Sequence, residues 1–159
     1  MSHSASRSVL VVESDRSTAR QIQACLAYAG FTVLPPVFSA REAITSIAAR
    51  TPDVIVVEIS LVANDVARRE LRNLAQQHAV PIVYLSSSTD RATLERAADG
   101  CAAACILKPF AERQLVSSVL LATIAAERGS TPHRIASAIE TGRGGSFDNQ
   151  KVSHLIPKK

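Results

Sequence analysis

A chain of 159 residues, 47 % of them apolar, is long enough for one domain with a buried core, too short for two of ordinary size, and too apolar for wholesale disorder. Aromatic residues make up only 4 % and Trp is absent, so Ala, Val, Leu and Ile must fill the core. The net charge is +4, and from residue 127 onward six Lys or Arg stand against three Asp or Glu. That tail is mildly basic, without the dense basic stripe or stacking aromatics of a nucleic-acid surface.

Three cysteines, Cys25, Cys101 and Cys105, form no CxxC pair and have no His beside them at metal-ligand spacing. Cys25 and Cys105 fall in helix and strand patterns and read as small buried apolar residues, and the odd count fits a reducing compartment. The first eight residues are polar and carry no signal core, and no apolar run is long enough to span a membrane, so the expected location is the cytoplasm.

In chain order, residues 8–12 (SVLVV) are a β-branched run without alternation, the mark of a strand buried on both faces. Ser17 is the expected cap of a helix with Ala19, Ile22, Cys25, Leu26 and Ala29 at helical spacing, ended by Gly30. Residues 31–34 read as a second strand closed by Pro35-Pro36. Residues 39–50 read as a second helix, with Ser39 and Glu42 spaced as a capping box and Pro52 as the stop. Residues 53–59 (DVIVVEI) form a third strand, and residues 60–64 a loop. Asp65 is the expected cap of a third helix carrying Val66, Leu71, Leu74 and Ala75. Residues 81–85 (PIVYL) are a fourth strand, followed by a helix over 89–98 with Thr89 as cap. Residues 103–107 are a fifth strand, and 111 to about 127 a fifth helix with Leu115, Val116, Val119, Leu120 and Ile124 on its buried side. After it, Thr131-Pro132 can start a short helix to about residue 140, and the remainder to residue 159 reads as a flexible basic tail.

Five β–α units in succession predict an α/β fold: a doubly wound five-stranded parallel sheet of flavodoxin-like order 2-1-3-4-5, with helices on both faces. In such a sheet the working site lies beyond the carboxyl ends of the strands. Here those ends carry Glu13 and Ser14, Glu58, Ser86 and Lys108.

With SVLVVESD, PDVIVVEIS, PIVYLSSS and ILKPF in this order, the chain resembles the receiver domains of two-component response regulators over residues 8–128, leaving 1–7 as a flexible N-terminus and 129–159 as the tail. The resemblance implies phosphorelay signalling rather than an enzyme. It aligns Glu58 with the phospho-acceptor Asp, and Glu13, Ser14 and Asp15 with the acidic pocket. Ser86, Lys108 and Pro109 match the phosphate pocket, and Cys105 stands at the aromatic switch position. The metal it implies is Mg²⁺, on Glu13, Glu58 and Ser60.

Several positions depart from the family pattern. Glu58 carries its carboxylate about 1.5 Å further out than Asp would, and in a positioned reaction an error of about 1 Å costs on the order of a hundredfold. Ser14 removes one metal-binding charge, so the cation site is weak or absent. The ring at position 105 and the usual Pro after the acceptor are missing. Two meanings of Glu58 stay open: imitation of the phosphorylated state by reaching toward Lys108 and Ser86, or a relic pocket with a Glu58–Lys108 ion pair.

The reading is therefore an atypical single-domain receiver, poorly phosphorylated or not at all, acting by contact with a histidine kinase or another signalling protein, or as a homodimer. The expected surface is the face of helix four, strand five and helix five. The alternatives are weak phosphorylation at Glu58 or Asp15 and a nucleic-acid-associated regulator using the tail. A flavin or nucleotide enzyme on the same fold is disfavoured, because the loop Glu13-Ser14-Asp15-Arg16 has no Gly and no G-x-G-x-x-G or P-loop pattern occurs.

Overall fold

The computed structural model describes residues 5–99 and 101–129. Five strands, β1 (Ser8–Val12), β2 (Thr32–Val33), β3 (Val54–Glu58), β4 (Ile82–Ser86) and β5 (Ala102–Leu107), form one sheet in the order β2-β1-β3-β4-β5. Every pairing is parallel. The helices are α1 (Arg16–Tyr28), α2 (Ala40–Ala49), α3 (Asp65–Gln77), α4 (Arg91–Asp99) and α5 (Glu112–Glu127). The expected doubly wound fold and strand order are those observed.

The strands lack sequence alternation because both faces are buried, yet their side chains still divide with a period of two. Leu10, Val12, Ile55, Val57, Ile82 and Tyr84 pack with Ala43, Ile47, Leu71, Ala75 and Ala97 of α2, α3 and α4. Val9, Val11, Val54, Val56, Val83 and Leu85 pack with Ile22, Leu26, Leu115, Val119 and Ala122 of α1 and α5. β2 is short because Pro35 and Pro36 follow it and proline cannot donate to a ladder. Val37 resumes pairing beyond them, donating to Val11 O at 3.1 Å and accepting from Glu13 N at 3.1 Å. That holds the end of β1 straight where Glu13 leaves it.

Three helix starts differ from the sequence expectation by one or two residues. Asp15, not Ser17, caps α1, accepting from Thr18 N at 2.6 Å. Asn64, not Asp65, caps α3, accepting from Val66 N at 2.8 Å. Asp90, not Thr89, accepts from Thr93 N at 2.9 Å at the start of α4. In each case an Asx side chain, which reaches the second or third amide onward with little strain, takes the role from its neighbour. Ser39 does cap α2 as expected, accepting from Glu42 N at 3.2 Å, while Glu42 reaches back to Phe38 N at 3.1 Å. Val66, expected on the buried stripe of α3, is exposed, and Leu74 is only partly covered. The 60–64 loop begins with a 3₁₀ turn, Ile59–Val62. The short helix and tail expected beyond residue 129 lie outside the described residues.

Helix ends repeat one device. Gly30, at φ +98°, follows α1; its N–H donates to Ala27 O and that of Phe31 to Leu26 O, with Phe31 and Leu26 packed in the same core. Ala79 plays the same part after α3, at φ +55°, with Ala79 N to Gln76 O and Val80 N to Ala75 O. A Cβ in that left-handed conformation is strained. Ala79→Gly should therefore raise stability by roughly 0.5–1 kcal/mol, read as an increase in the urea midpoint; an unchanged or lower midpoint would contradict the strain.

Candidate functional site

The parallel sheet brings the carboxyl ends of β1, β3, β4 and β5 to one edge. Val12 pairs with Val57, so Glu13 and Glu58 are the next residues on two adjacent strands. Both are buried, Glu13 at 1 % and Glu58 at 6 % exposure. A buried carboxylate without a partner carries a large desolvation penalty, so partners decide what this edge can do.

Glu13 has a partner on each carboxylate oxygen. Its Oε2 accepts from Lys108 Nζ at 2.7 Å, and its Oε1 accepts from Asp15 N at 3.0 Å. Lys108 follows β5, its side chain 22 % exposed, and its N–H donates to Ser86 O at 2.8 Å. The peptide bond from Lys108 to Pro109 is cis. The Glu58–Lys108 pair considered from sequence is not formed: the ammonium goes to Glu13, the more deeply buried acid. Glu58 Oε2 is buried and accepts no hydrogen bond among the described residues.

The other pocket positions are turned to local tasks. Ser14 and Ser60 are exposed. Asp15 is exposed and caps α1; its bonds from Thr18 hold the carboxyl below the ordinary range, and the Lys108 charge adds to this. Ser86 is buried, and its hydroxyl donates to Ser88 O at 2.8 Å while accepting from Ser88 N at 3.0 Å. Ser86 thus closes its own turn rather than reaching Glu58. Cys105 pairs in register with Tyr84 and is half-buried, and burial pushes its thiol up. At the rim, the Arg16 guanidinium lies 4.5 Å from the Phe38 ring centroid.

Three features were not anticipated from sequence: the Lys108–Glu13 pair, the Arg16–Phe38 contact, and Asp90 as a clamp on the β4–α4 loop. Asp90 accepts from the Ser88 hydroxyl, from Thr93 Oγ1 at 2.7 Å and from Thr93 N at 2.9 Å. Asp-x-x-Thr is a visible capping signal; the other two join residues far apart in the chain.

The family model for the response regulator receiver domain matches residues 9–120. The chain belongs to the response regulator receiver family. The transcriptional regulatory protein PdtaR of Mycobacterium tuberculosis is 25 % identical over 116 residues, 73 % of this chain and 56 % of PdtaR. The chain thus spans little more than half the length of that relative. Among solved structures, the receiver domain of a modulated diguanylate cyclase from Desulfovibrio desulfuricans G20 matches with TM-score 0.69 and 29 % identity, covering 78 % of this chain and 98 % of that one. A CheY-like receiver domain protein from Methanospirillum hungatei JF-1 matches with TM-score 0.70 over 79 % of this chain and 99 % of its own, and its 16 % identity speaks for the fold alone.

Receiver domains are signalling modules that interact with histidine kinases and other signalling proteins, and they typically bind Mg²⁺ at the phosphorylation site. Mg²⁺ takes an octahedron of oxygen donors, commonly one or two carboxylates completed by waters. The residues of this receiver do not fit it. Glu13 already holds the Lys108 ammonium and the Asp15 N–H, Asp15 is a helix cap and Ser14 has no charge, so Glu58 is the one carboxylate of the pocket without a partner among the described residues. Among the described residues no three His, Cys, Asp or Glu side chains converge.

Two outcomes follow from this geometry. Lys108→Met strands the Glu13 carboxylate in the interior and should cost on the order of 3 kcal/mol, whereas Lys108→Met with Glu13→Gln should recover more than half of the loss in a urea double-mutant cycle; additive losses would show that the pair is not coupled. Asp90 is pulled down to about 2, first by the Ser88 hydroxyl and then by Thr93. Its folded-state value lies below the unfolded one, so its contribution is complete above about pH 4 and is lost as the pH falls toward about 2. Asp90→Asn should flatten Tm against pH in that window, and a parallel acid profile for wild type and variant would count against the clamp.

Proposed function

We propose that this chain is an atypical receiver that signals by protein–protein contact rather than by a phosphorylation cycle. The observation that carries the reading is the commitment of Lys108 to Glu13 at 2.7 Å. In this family the lysine of the L-K-P element serves the phosphorylated acceptor; here its charge is already held by a buried acid. Glu58 stands at the acceptor position, and the Ser86 hydroxyl is closed on Ser88. An acyl phosphate on Glu58 would need both groups released and a counter-cation for which the donors are poor.

A contact role is supported by three of the five large apolar side chains left exposed among the described residues, the others being Tyr28 on α1 and Val66 on α3. Leu94 on α4, Leu107 on β5 and Leu121 on α5 are exposed, the last at 64 %. These are the three elements expected from sequence to meet a kinase, another receiver or an output protein. Slow phosphorylation at Glu58 or Asp15 is the competing reading, and Asp15 has the exposure for it.

Incubation with acetyl phosphate or phosphoramidate and Mg²⁺, followed by intact mass, tests the proposal. The mass should stay unchanged. A stoichiometric gain of one phosphoryl group would overturn it, and mapping the modified peptide would assign the acceptor to Glu58 or Asp15.

A further inference from the structure

The edge of the sheet holds two buried carboxylates and one ammonium. Glu13 and Glu58 are neighbours across the β1–β3 ladder, and Lys108 reaches in from the end of β5. A divalent cation placed between the two carboxylates would need oxygens of both. It would have to displace the ammonium from Glu13 Oε2, or share that oxygen at the cost of like-charge repulsion over a short distance in a poorly solvated pocket. The second oxygen of Glu13 is held by the backbone N–H of Asp15, a bond that also fixes the entry to α1. Glu58 Oε2 is left as the one buried side-chain oxygen of the pocket without a hydrogen bond among the described residues.

We infer that Lys108 is the resident counter-charge of this pocket and the group that keeps divalent cations out, so that the receiver is indifferent to Mg²⁺ while Lys108 is present. The ammonium neutralises one of the two acids in the protein as it stands. Without it, two adjacent buried carboxylates remain with no cation, and the same edge becomes a place where a hard divalent ion is favoured. The departure at Ser14 then has a physical meaning. Ser14 takes away a carboxylate, and the Glu13 charge that remains is held by the lysine at 2.7 Å. This deepens the reading of a phosphorylation-free receiver, and it is tested without any phosphodonor, so either can fail alone.

The experiment is a titration of the full chain with MnCl₂, read by amide NMR, with MgCl₂ thermal shifts on wild type, Lys108→Met, and Lys108→Met with Glu13→Gln. In the wild type, paramagnetic broadening should not localise to the amides of residues 13–15, 58–60 and 86–88, and MgCl₂ should move Tm no more than NaCl of equal ionic strength. Lys108→Met should gain a saturable Mg²⁺-dependent rise in Tm, and the double variant should lose it. Localised broadening in the wild type would overturn the inference, and that arm stands even if Lys108→Met fails to fold. A folded Lys108→Met protein that ignores Mg²⁺ would equally overturn the role given to the ammonium.

Discussion

The ammonium of Lys108 meets the carboxylate of Glu13 at 2.7 Å across 95 residues of chain, tying the last strand's exit to the first strand's. Neither partner is well solvated, and each alone would be unfavourable in that position. The pair is possible because parallel strands in the order β2-β1-β3-β4-β5 deliver both residues to the same edge. It occupies the Lys108 ammonium and leaves Glu58 beside it without a cation. The Asp15 N–H on the other Glu13 oxygen links this pair to the start of α1.

Most polar groups around the edge are satisfied by near neighbours. Ser86 bonds Ser88, Asp15 caps its own helix, and Asp90 gathers Ser88 and Thr93. A pocket whose donors and acceptors are already paired has little drive to take up a highly charged group, since each bond gained would replace one present. Among the described residues the exception is Glu58 Oε2, at the position the sequence resemblance aligns with the phospho-acceptor. The receiver scaffold is retained, while the Lys108 ammonium is engaged with Glu13 and the Ser86 hydroxyl with the Ser88 backbone.

Legibility in the sequence followed the range of the interactions. The strands were readable because burial on both faces requires unbroken apolar runs, as in VLVV and VIVV, and the helices because their covered faces repeat at helical spacing. Caps were located only to within a residue or two. Asp15 competes with Ser17, Asn64 with Asp65 and Asp90 with Thr89, and each candidate is chemically competent; the backbone path chooses between them. Val66 fits the helical period of α3 but lies exposed at its first turn, so periodicity alone assigned it to the wrong side.

The residues by themselves determined the α/β class, the five β–α units, the family, and which side chains would stand at the carboxyl edge: Glu13, Glu58, Ser86 and Lys108. These depend on local pattern, on burial, and on the restricted ways in which parallel crossovers can be made. Only the tertiary structure decided who bonds whom at that edge. Two acids of equal length and one lysine allow either pairing on paper. The ammonium goes to Glu13 and not to Glu58, and that choice is fixed only when the separate units pack together.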